Sequence, residues 1–376
     1  MRTPVNAATG VPVDPVVFDT ALGAAVHTPV TFADVWWSGA PTGVRAPIDG
    51  GSLSWSRNDL HQVRGSARWL PDGDARLTPG APGSLIVQGV TELRVWRGIV
   101  LPDGTDAVCS LGVFIVGSYT FDDDLSVTVE LDARSQRVSR ARLEQPVEWT
   151  AAVIVEEAVQ TMLATAWPEL EVQTSGTSGA APAIIHETQT DPWQACVDAA
   201  TSKGCWLTFD GAGTAVWAPE ASLDETDPFH MVAGDRLTGL SVTGTLEGFH
   251  NRTFTPSSKP DLTAPVVGVA TLTETTSLYR YGGPLGAVPQ WVPSSMLSTV
   301  AEANTMAATV QAAEKVERKL QFTSWIDPRL ELLDAVHVRR ALMHVDDVAW
   351  VDEVSFDLAG DVMACSAGQQ PQVVEG

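Results

Sequence analysis

The stretch 95-VWRGIVLPDGTDAVCSLGVFIVGSYTFDDDLSVTVELDARS-135 shows the kind of structure from which the chain is built. Two apolar runs, 95–101 and 111–116, flank a Pro-Asp-Gly turn, and a third run, 125–131, follows three aspartates. Short apolar runs separated by turn residues predict a three-stranded antiparallel meander. The stretch carries no catalytic pattern, so the strands themselves, rather than a reaction, are the starting point for its function.

Composition predicts a folded protein of two or three domains. The chain has 376 residues, of which 44% are hydrophobic and 18% charged, which is enough apolar surface for several cores. No apolar run approaches the roughly 18 residues of a membrane-spanning helix. Prolines and polar residues occupy the start of the sequence, where a signal peptide would carry its apolar segment. We therefore expect folding in a cytoplasm and no membrane span.

Charge and cysteine usage exclude several classes of function. Asp and Glu number 46 against 23 Lys and Arg, a formal charge of −23, and such a surface repels phosphate backbones, so we expect no sequence-specific nucleic-acid binding. The four cysteines lie among apolar residues without CxxC spacing, which favours buried free thiols over a metal site; they are Cys109, Cys196, Cys205 and Cys365. No metal or cofactor is expected.

The pattern along the chain predicts a mainly β protein with an α+β insertion. Short runs at 30–37, 51–55, 65–70 and 84–88 precede the meander and indicate a barrel or sandwich. The expected divisions are an N-terminal arm at 1–27, a first β-barrel domain at 28–142, a small α/β domain at 143–228, a second β-barrel domain at 229–366 and a polar tail at 367–376.

The small domain and the second barrel contain the predicted helices. Thr150 is expected to cap a first helix, and Asp191 followed by Pro192 to begin a second that ends before Gly204 and leads into a hairpin at 205–219. Thr299 and Glu302 form a capping box for a third helix at 299–320, with an alanine-rich face that suits close packing on a sheet. The polar, proline-containing stretch 254–297 is interpreted as an insertion or binding loop.

An internal repeat bears on the opening stretch. Residues 114–128 align without gaps on residues 349–363, placing Val116 on Val351 and Phe121 on Phe356. Each segment predicts a strand, a turn and the start of another strand, late in a β-rich region. Any two hairpins share some alternation, but we favour a duplicated β domain.

Candidate chemical sites are few. The triplet 122–124 would serve a glycosidase only if two carboxylates converged across a cleft, so an acidic turn is the favoured interpretation. His344, Asp346 and Asp347 resemble a metal or acid–base cluster but fall where a solvated hairpin turn is expected. The remaining histidines lack ligand-spaced partners; they are His27, His61, His186, His230, His250 and His337. No catalytic, cofactor or metal residue is assigned, and we expect no enzyme.

Tryptophans give an alternative interpretation, because sugars stack on exposed aromatic rings. The chain has 13 Trp, and those in apolar patterns favour core or interface positions; they are Trp96, Trp193, Trp206, Trp217 and Trp350. Of the adjacent Trp36 and Trp37, one is expected to point inward and one outward, where it would anchor an interface.

Three segments of the first β region have a recognisable combination of motifs. They are IDGGSLSWSRNDLHQVRGSARWLPDGDARLTP at 48–79, ELRVWRGIVLPDGTDAVCSLGVFIVGS at 92–118 and VTVELDARSQRVSRARLEQP at 127–146. Together they resemble the N-terminal half of actinobacteriophage minor tail proteins of the baseplate hub type. The segment at 191–219 is similar to the small domain of such hubs, and 327–338 with 348–363 to their second barrel. Leu333 departs from the pattern, since a turn glycine is more typical there.

The resemblance implies a trimer in which each chain contributes two tube-like barrels to a ring below the sixfold tail tube, within the virion. It implies as partners a distal tail protein ring, the C-terminus of the tape-measure protein and a central fibre or spike. An acidic channel would not trap passing DNA. Two alternatives stay open: a carbohydrate- or receptor-binding module with clustered exposed tryptophans, and a β-rich glycoside hydrolase.

Overall fold

A computed structural model describes residues 2–23, 28–150, 152–174, 179–181, 183–203, 205–219, 230–246, 248–258, 265–275, 277–294, 297, 299–313 and 317–368. The chain forms two compact units, one of residues 1–239 with 322–366 and one of residues 240–321 with 367–376. The first unit is dominated by a large, mostly antiparallel sheet, and the second contains a small sheet and one helix. The predicted mainly β class is confirmed.

The strands are β1 (Val5–Asn6), β2 (Pro29–Trp37), β3 (Ala40–Pro47), β4 (Gly50–Ser56), β5 (Val63–Trp69), β6 (Thr91–Val100), β7 (Asp106–Phe121), β8 (Val127–Ala133), β9 (Val147–Trp149), β10 (Val172–Thr174), β11 (Ile184–His186), β12 (Cys205–Phe209), β13 (Ala215–Pro219), β14 (His230–Ala233), β15 (Leu237–Thr245), β16 (Arg252–Pro256), β17 (Val267–Thr271), β18 (Pro289–Trp291), β19 (Glu317–Trp325), β20 (Ala335–Arg340), β21 (Val345–Asp357) and β22 (Val362–Gly368). The α-helices are α1 (Pro15–Leu22), α2 (Arg134–Arg140), α3 (Val155–Ala166), α4 (Pro192–Ser202) and α5 (Val300–Ala313). Short 3-10 turns occupy Ala75–Leu77, Gly234–Arg236 and Ala341–Met343.

The predicted meander is confirmed as β6, β7 and β8, which pair antiparallel in sequence order. Close pairing of β6 and β7 requires glycine at position 98, because a Cβ there would lie 1.9 Å from the carbonyl oxygen of Ala107. Register shifts between Val95 and Trp96 and between Val116 and Ser118 bend the long β7. The apolar side chains of β7 form much of the core of the first unit.

The two β regions do not form separate closed barrels. Within the first unit the strand order is β22-β21-β4-β5-β8-β7-β6-β2-β3, so β21 of the second region pairs directly with β4 of the first. In the residues that the structure describes, no sheet closes into a barrel. The expectation of two barrels is therefore corrected to two groups of strands that share one sheet.

The N-terminal arm is part of the fold rather than an independent extension. β1 pairs antiparallel with β7, and Asp14 caps α1 through a 2.8 Å bond from Val16 N. Phe18 of α1 is fully buried in a cluster with Ile99 and Leu101. Apolar burial gives this segment its order, which its irregular sequence pattern did not indicate.

The small α/β part of the first unit has its own hydrophobic core, between α3, α4 and the β12–β13 hairpin. The predicted start of α4 is confirmed, because Asp191 Oδ1 accepts the backbone N–H groups of Trp193 and Gln194 at 2.9 and 3.2 Å. Thr150 is wrong as a helix cap: Ile154 occupies the N-cap position of α3 without a side-chain cap. Gly204 lies outside the described residues.

The second unit shows why 254–297 is not a simple loop. It contains β17 and β18, which pair with β16 in a three-stranded sheet. α5 packs on this sheet so closely that a Cβ on Gly268 would lie 2.1 Å from the carbonyl carbon of Ala303, as its alanine face predicts. The capping box is confirmed by bonds of 3.0 and 3.2 Å between Thr299 and Glu302, but the helix ends at Ala313 and β19 begins at Glu317.

Candidate functional site

The most distinctive feature of the first unit is the junction of the two strand groups, here called the seam and defined as Ser52–Ser56 of β4 with Glu353–Asp357 of β21. Their antiparallel register places Leu53 opposite Phe356 and Trp55 opposite Val354. Leu53, Val354 and Phe356 are buried. Because backbone bonds and apolar burial coincide here, the seam joins the two groups firmly.

Trp55 links the two hairpins across the seam. Its ring lies 5.5 Å from the ring of Phe356 in β21 and 6.2 Å from that of Phe114 in β7, both edge-on. Edge-to-face pairs of this kind stabilise a fold beyond the area they bury. The guanidinium of Arg2 lies over the same ring at 5.1 Å, so the N-terminus, the first group and the second group meet at one side chain.

Arg97 fastens the turn of the second hairpin to the first strand group. Its buried guanidinium donates to the carbonyls of Leu358, at 2.9 Å, and Gly360, and to Thr31 Oγ1. Thr31 Oγ1 in turn donates to Leu358 O at 2.9 Å. Burial lowers the pKa of Arg97, and the carboxylates of Asp361 and then Asp357 oppose that shift. The turn therefore depends on a charge held within the protein.

Arg2 is a second buried arginine whose guanidinium connects distant parts of the chain through backbone carbonyls. Its Nη1 donates to Leu330 O at 2.7 Å, and its Nη2 to Leu111 O at 3.2 Å. Glu331 forms an ion pair with it at 3.5 Å. One buried side chain thus holds the N-terminus, β7 and the loop after β19 together.

Leu333, in that loop, has a φ of 66°, the left-handed conformation that the typical glycine would adopt without strain.

A cavity beside the seam is too small for a substrate. It holds about 30 Å³ and is lined by residues that include Trp55, His61, Phe114 and Trp193. That volume suits one water molecule, whereas sites for small molecules measure hundreds of cubic ångströms. His61 Nδ1 lies 3.1 Å from Ser135 Oγ at its edge, but Ser135 is buried and inaccessible to a substrate.

The aligned repeat segments both form hairpins, with different surroundings. β7 pairs with β8, and β22 neighbours β21. Phe121 is 41% exposed, whereas Phe356 is fully buried at the seam. The Asp357 carboxylate accepts the N–H groups of Ala359 and Gly360 at 2.9 and 3.1 Å. The shared strand-turn-strand form is confirmed, and the duplication stays a prediction.

The acidic triplet forms the expected hairpin turn. Its three side chains are exposed, and Ser126 N donates to Asp124 Oδ1 at 2.9 Å. Hydrogen bonds from Ser126 lower the pKa of Asp124, so it is a stable carboxylate and unsuited to be a general acid.

The late cluster is not assembled as a site. His344 has a φ of 52° in the tight turn before β21, while Asp346 Oδ1 is 2.5 Å from Nε2 of a different histidine, His337. Asp347 is buried in β21. The described part of the chain contains no group of three or more His, Cys, Asp or Glu side chains able to hold a metal ion.

The other predicted residues lie mainly in the core. All four cysteines are buried free thiols, and burial raises the pKa of Cys109 to about 12. Trp193 and Trp217 are core residues as predicted, while Trp36 and Trp37 are both half-buried, so neither points clearly outward. All 13 Trp lie within the described residues, and among them only Trp291 is mainly exposed, at 63%. His27 and the His230 side chain lie outside the described residues.

Sequence reasoning missed Trp55, Arg2 and Arg97. All three act through partners distant in sequence, and a single buried arginine carries no local pattern. Only Arg97 gave a signal, as an arginine within the apolar run 95–101, whereas Arg2 and Trp55 have mainly polar neighbours in the sequence. None of the described helices is long and apolar enough to cross a membrane.

Comparison with known proteins identifies solved structures that have a similar fold. No protein-family profile and no curated protein sequence matches the chain. Among solved structures, a tail protein of Neisseria meningitidis superposes with a TM-score of 0.65 at 15% identity over 91% of this chain and 97% of that one. The 43 kDa tail protein of prophage MuSo2 from Shewanella oneidensis gives 0.62 at 12% identity over 90% and 98%. Prophage tail protein gp18 of Listeria monocytogenes gives 0.55 at 9% identity over 91% and 94%.

Proposed function

We propose that the chain is a structural, non-enzymatic hub of a phage tail tip, of the kind found in actinobacteriophages, that matches a sixfold tail tube to a threefold tip and forms part of the DNA exit channel. The observation that carries the proposal is the end-to-end likeness to tail proteins, two of them from prophages, with 91% of this chain and 97% of the Neisseria meningitidis tail protein covered. A likeness over whole lengths concerns the complete architecture rather than one common motif.

The seam supports the symmetry-matching role. A threefold ring can meet six tube subunits only if each chain presents two comparable surfaces in a fixed relation. β4 and β21 join the two strand groups through backbone bonds, and Trp55 packs against rings from both. These contacts keep the groups of one chain from moving independently, as a shared ring position demands.

Charge supports the channel role. With a net charge of −23 and an exposed acidic turn at 122–124, the surface would repel the phosphates of passing DNA rather than bind them. The partners we propose are two further copies of the chain, a distal tail protein ring, the C-terminus of the tape-measure protein and a central fibre or spike. The chain would assemble in the host cytoplasm and remain in the virion.

The alternative of a carbohydrate-binding module has weaker support. It requires several exposed tryptophans in one groove, whereas one Trp is mainly exposed. The cavity of about 30 Å³ beside the seam offers no room for a sugar.

Two measurements test the proposal. Mass spectrometry of purified virions should detect the chain at a few copies per particle, and native mass spectrometry of the purified protein with its tail partners should give a trimer. Absence of the chain from virions, or a monomer that persists when the partners are added, would refute it. As a control, glycosidase and peptidoglycan-hydrolase assays should give no turnover; turnover lost on Asp122→Asn would restore the hydrolase hypothesis.

A further inference from the structure

The small sheet of the second unit has one covered face and one open face. Thr255 Oγ1 donates to Ala303 O at 2.7 Å, so the face carrying Thr253 and Thr255 lies under α5. The side chains between them point the other way. The open face is defined by Arg252, Phe254 and Pro256 of β16, Val267 and Val269 of β17, and Pro289 and Trp291 of β18.

The open face presents neighbouring apolar side chains to solvent, and exposed apolar patches of this kind mark interaction sites. Trp291 is 63% exposed, and Val267 and Val269 are about two-fifths exposed, at 41% and 39%. Phe254 stacks beneath Trp291 with ring centroids 5.3 Å apart and planes 11° from parallel. The Trp ring is therefore fixed in place before any ligand arrives, which lowers the entropy lost on binding.

A single cation lies within this face. The Arg252 guanidinium is 4.9 Å from the ring centre of Phe254 and 4.8 Å from that of Tyr281, and it donates to Tyr281 Oη at 2.9 Å. Its Nε is buried and has no hydrogen-bond partner among the described residues. Among the residues that the structure describes, no carboxylate forms an ion pair with it. The chain carries a net charge of −23, yet none of its described carboxylates pairs with Arg252. This arginine is therefore suited to bind a carboxylate of another molecule.

We infer that the open face docks a segment of another tail protein that presents an apolar side chain to Trp291 and Val269 and a carboxylate to Arg252. Trp, Tyr and Arg are the residue types that dominate binding energy at protein interfaces, and all three meet here. A saccharide fits less well, because its hydroxyls need several polar partners and the face supplies mainly Val, Pro and Phe. The inference rests on the proposed function for the source of the partner.

The test uses assembled virions. Val269→p-benzoylphenylalanine is introduced into the full chain during phage production, virions are purified and irradiated, and crosslinked peptides are identified by mass spectrometry. We expect a crosslink to one segment of another tail protein with Asp or Glu close to the crosslinked residue. Arg252→Gln, and separately Trp291→Ala, should lower its yield about tenfold or more. The same label at Leu342, which is 91% exposed in the first unit, is the matched control and should not crosslink to that segment.

Different outcomes separate a failure of the docking inference from a failure of the proposed hub function. If virions contain the chain but Val269→p-benzoylphenylalanine gives no crosslink, or crosslinks only to a saccharide or to a second copy of the chain, this inference is overturned and the hub role stands. A yield that is insensitive to both Arg252→Gln and Trp291→Ala would overturn it as well. If virions lack the chain, both proposals fall. Unchanged thermal unfolding of the purified variants separates lost docking from lost folding.

Discussion

Removal of the Phe356 ring is expected to destabilise the first unit far more than removal of its repeat counterpart Phe121. Phe356 is fully buried, and its ring lies 5.5 Å from Trp55. Truncation of such a ring to alanine costs about 3–5 kcal/mol, the lost transfer free energy plus the cavity left behind. At roughly 2–4 °C per kcal/mol, the melting temperature should fall by roughly 6–20 °C. Phe121 is 41% exposed, so Phe121→Ala should cost about 1 kcal/mol or less.

Differential scanning calorimetry on the two purified variants measures this contrast directly. The substitutions are chemically identical and fall on aligned positions, so each serves as the control of the other. Equal shifts in melting temperature for Phe356→Ala and Phe121→Ala would show that the seam is not a principal source of stability and does not connect the two strand groups rigidly.

Three further perturbations test other parts of the structure. Gly268→Ala places a Cβ 2.1 Å from the carbonyl carbon of Ala303, so thermal unfolding should show the second unit destabilised by about 2 kcal/mol or more. Arg97→Met removes the donor to the carbonyl of Gly360 and one donor to the carbonyl of Leu358, which keeps its bond from Thr31 Oγ1, and should cost about 2 kcal/mol in urea denaturation. Arg45→Met, at an exposed ion pair, should cost under about 1 kcal/mol; equal costs would contradict the role of Arg97. Burial raises the pKa of Asp334 from 3.8 to about 6, so its contribution to stability is present below pH 3.8 and is lost as pH rises through about 6. Asp334→Asn should therefore raise the melting temperature at pH 7.5 and leave it nearly unchanged at pH 4, and a gain that is the same at both pH values would contradict this.

Local signals predicted the elements whose determinants lie within a few residues. Asp191 followed by Pro192 identified the start of α4, and Thr299 with Glu302 that of α5, because a cap and its backbone donors are neighbours in sequence. The meander was equally clear, since turn residues separate its apolar runs. These are the parts of the fold that do not depend on distant pairing.

Elements set by tertiary context were missed or misplaced. β3 contains Pro41, Gly43 and Pro47 and has the composition of a turn, yet it pairs along β2 at the edge of the sheet. Residues 84–88 look like a strand, but Val87 O accepts Thr91 N at 3.0 Å in a local turn instead of a ladder. Propensity describes the chain alone, and partner strands decide such cases.

The candidate functional surfaces could not be predicted because they depend on long-range placement. The pairing of β4 with β21 joins segments far apart in the chain and leaves no periodicity to detect. The open face carrying Trp291 lay inside the stretch interpreted as a loop, where its alternation was not recognised. Conversely, the acidic residues that the sequence makes conspicuous, 122–124, proved to be an exposed turn.

The most direct test of the hub role is a reconstruction of the tail tip by electron cryomicroscopy in virions that carry this chain. We expect three copies of the chain around the tail axis, directly below the tube, with the two strand groups of each copy facing two successive tube subunits. Density that places the chain at the periphery as a separate receptor-binding module, or that contains no copy of it at the tip, would refute the hub role.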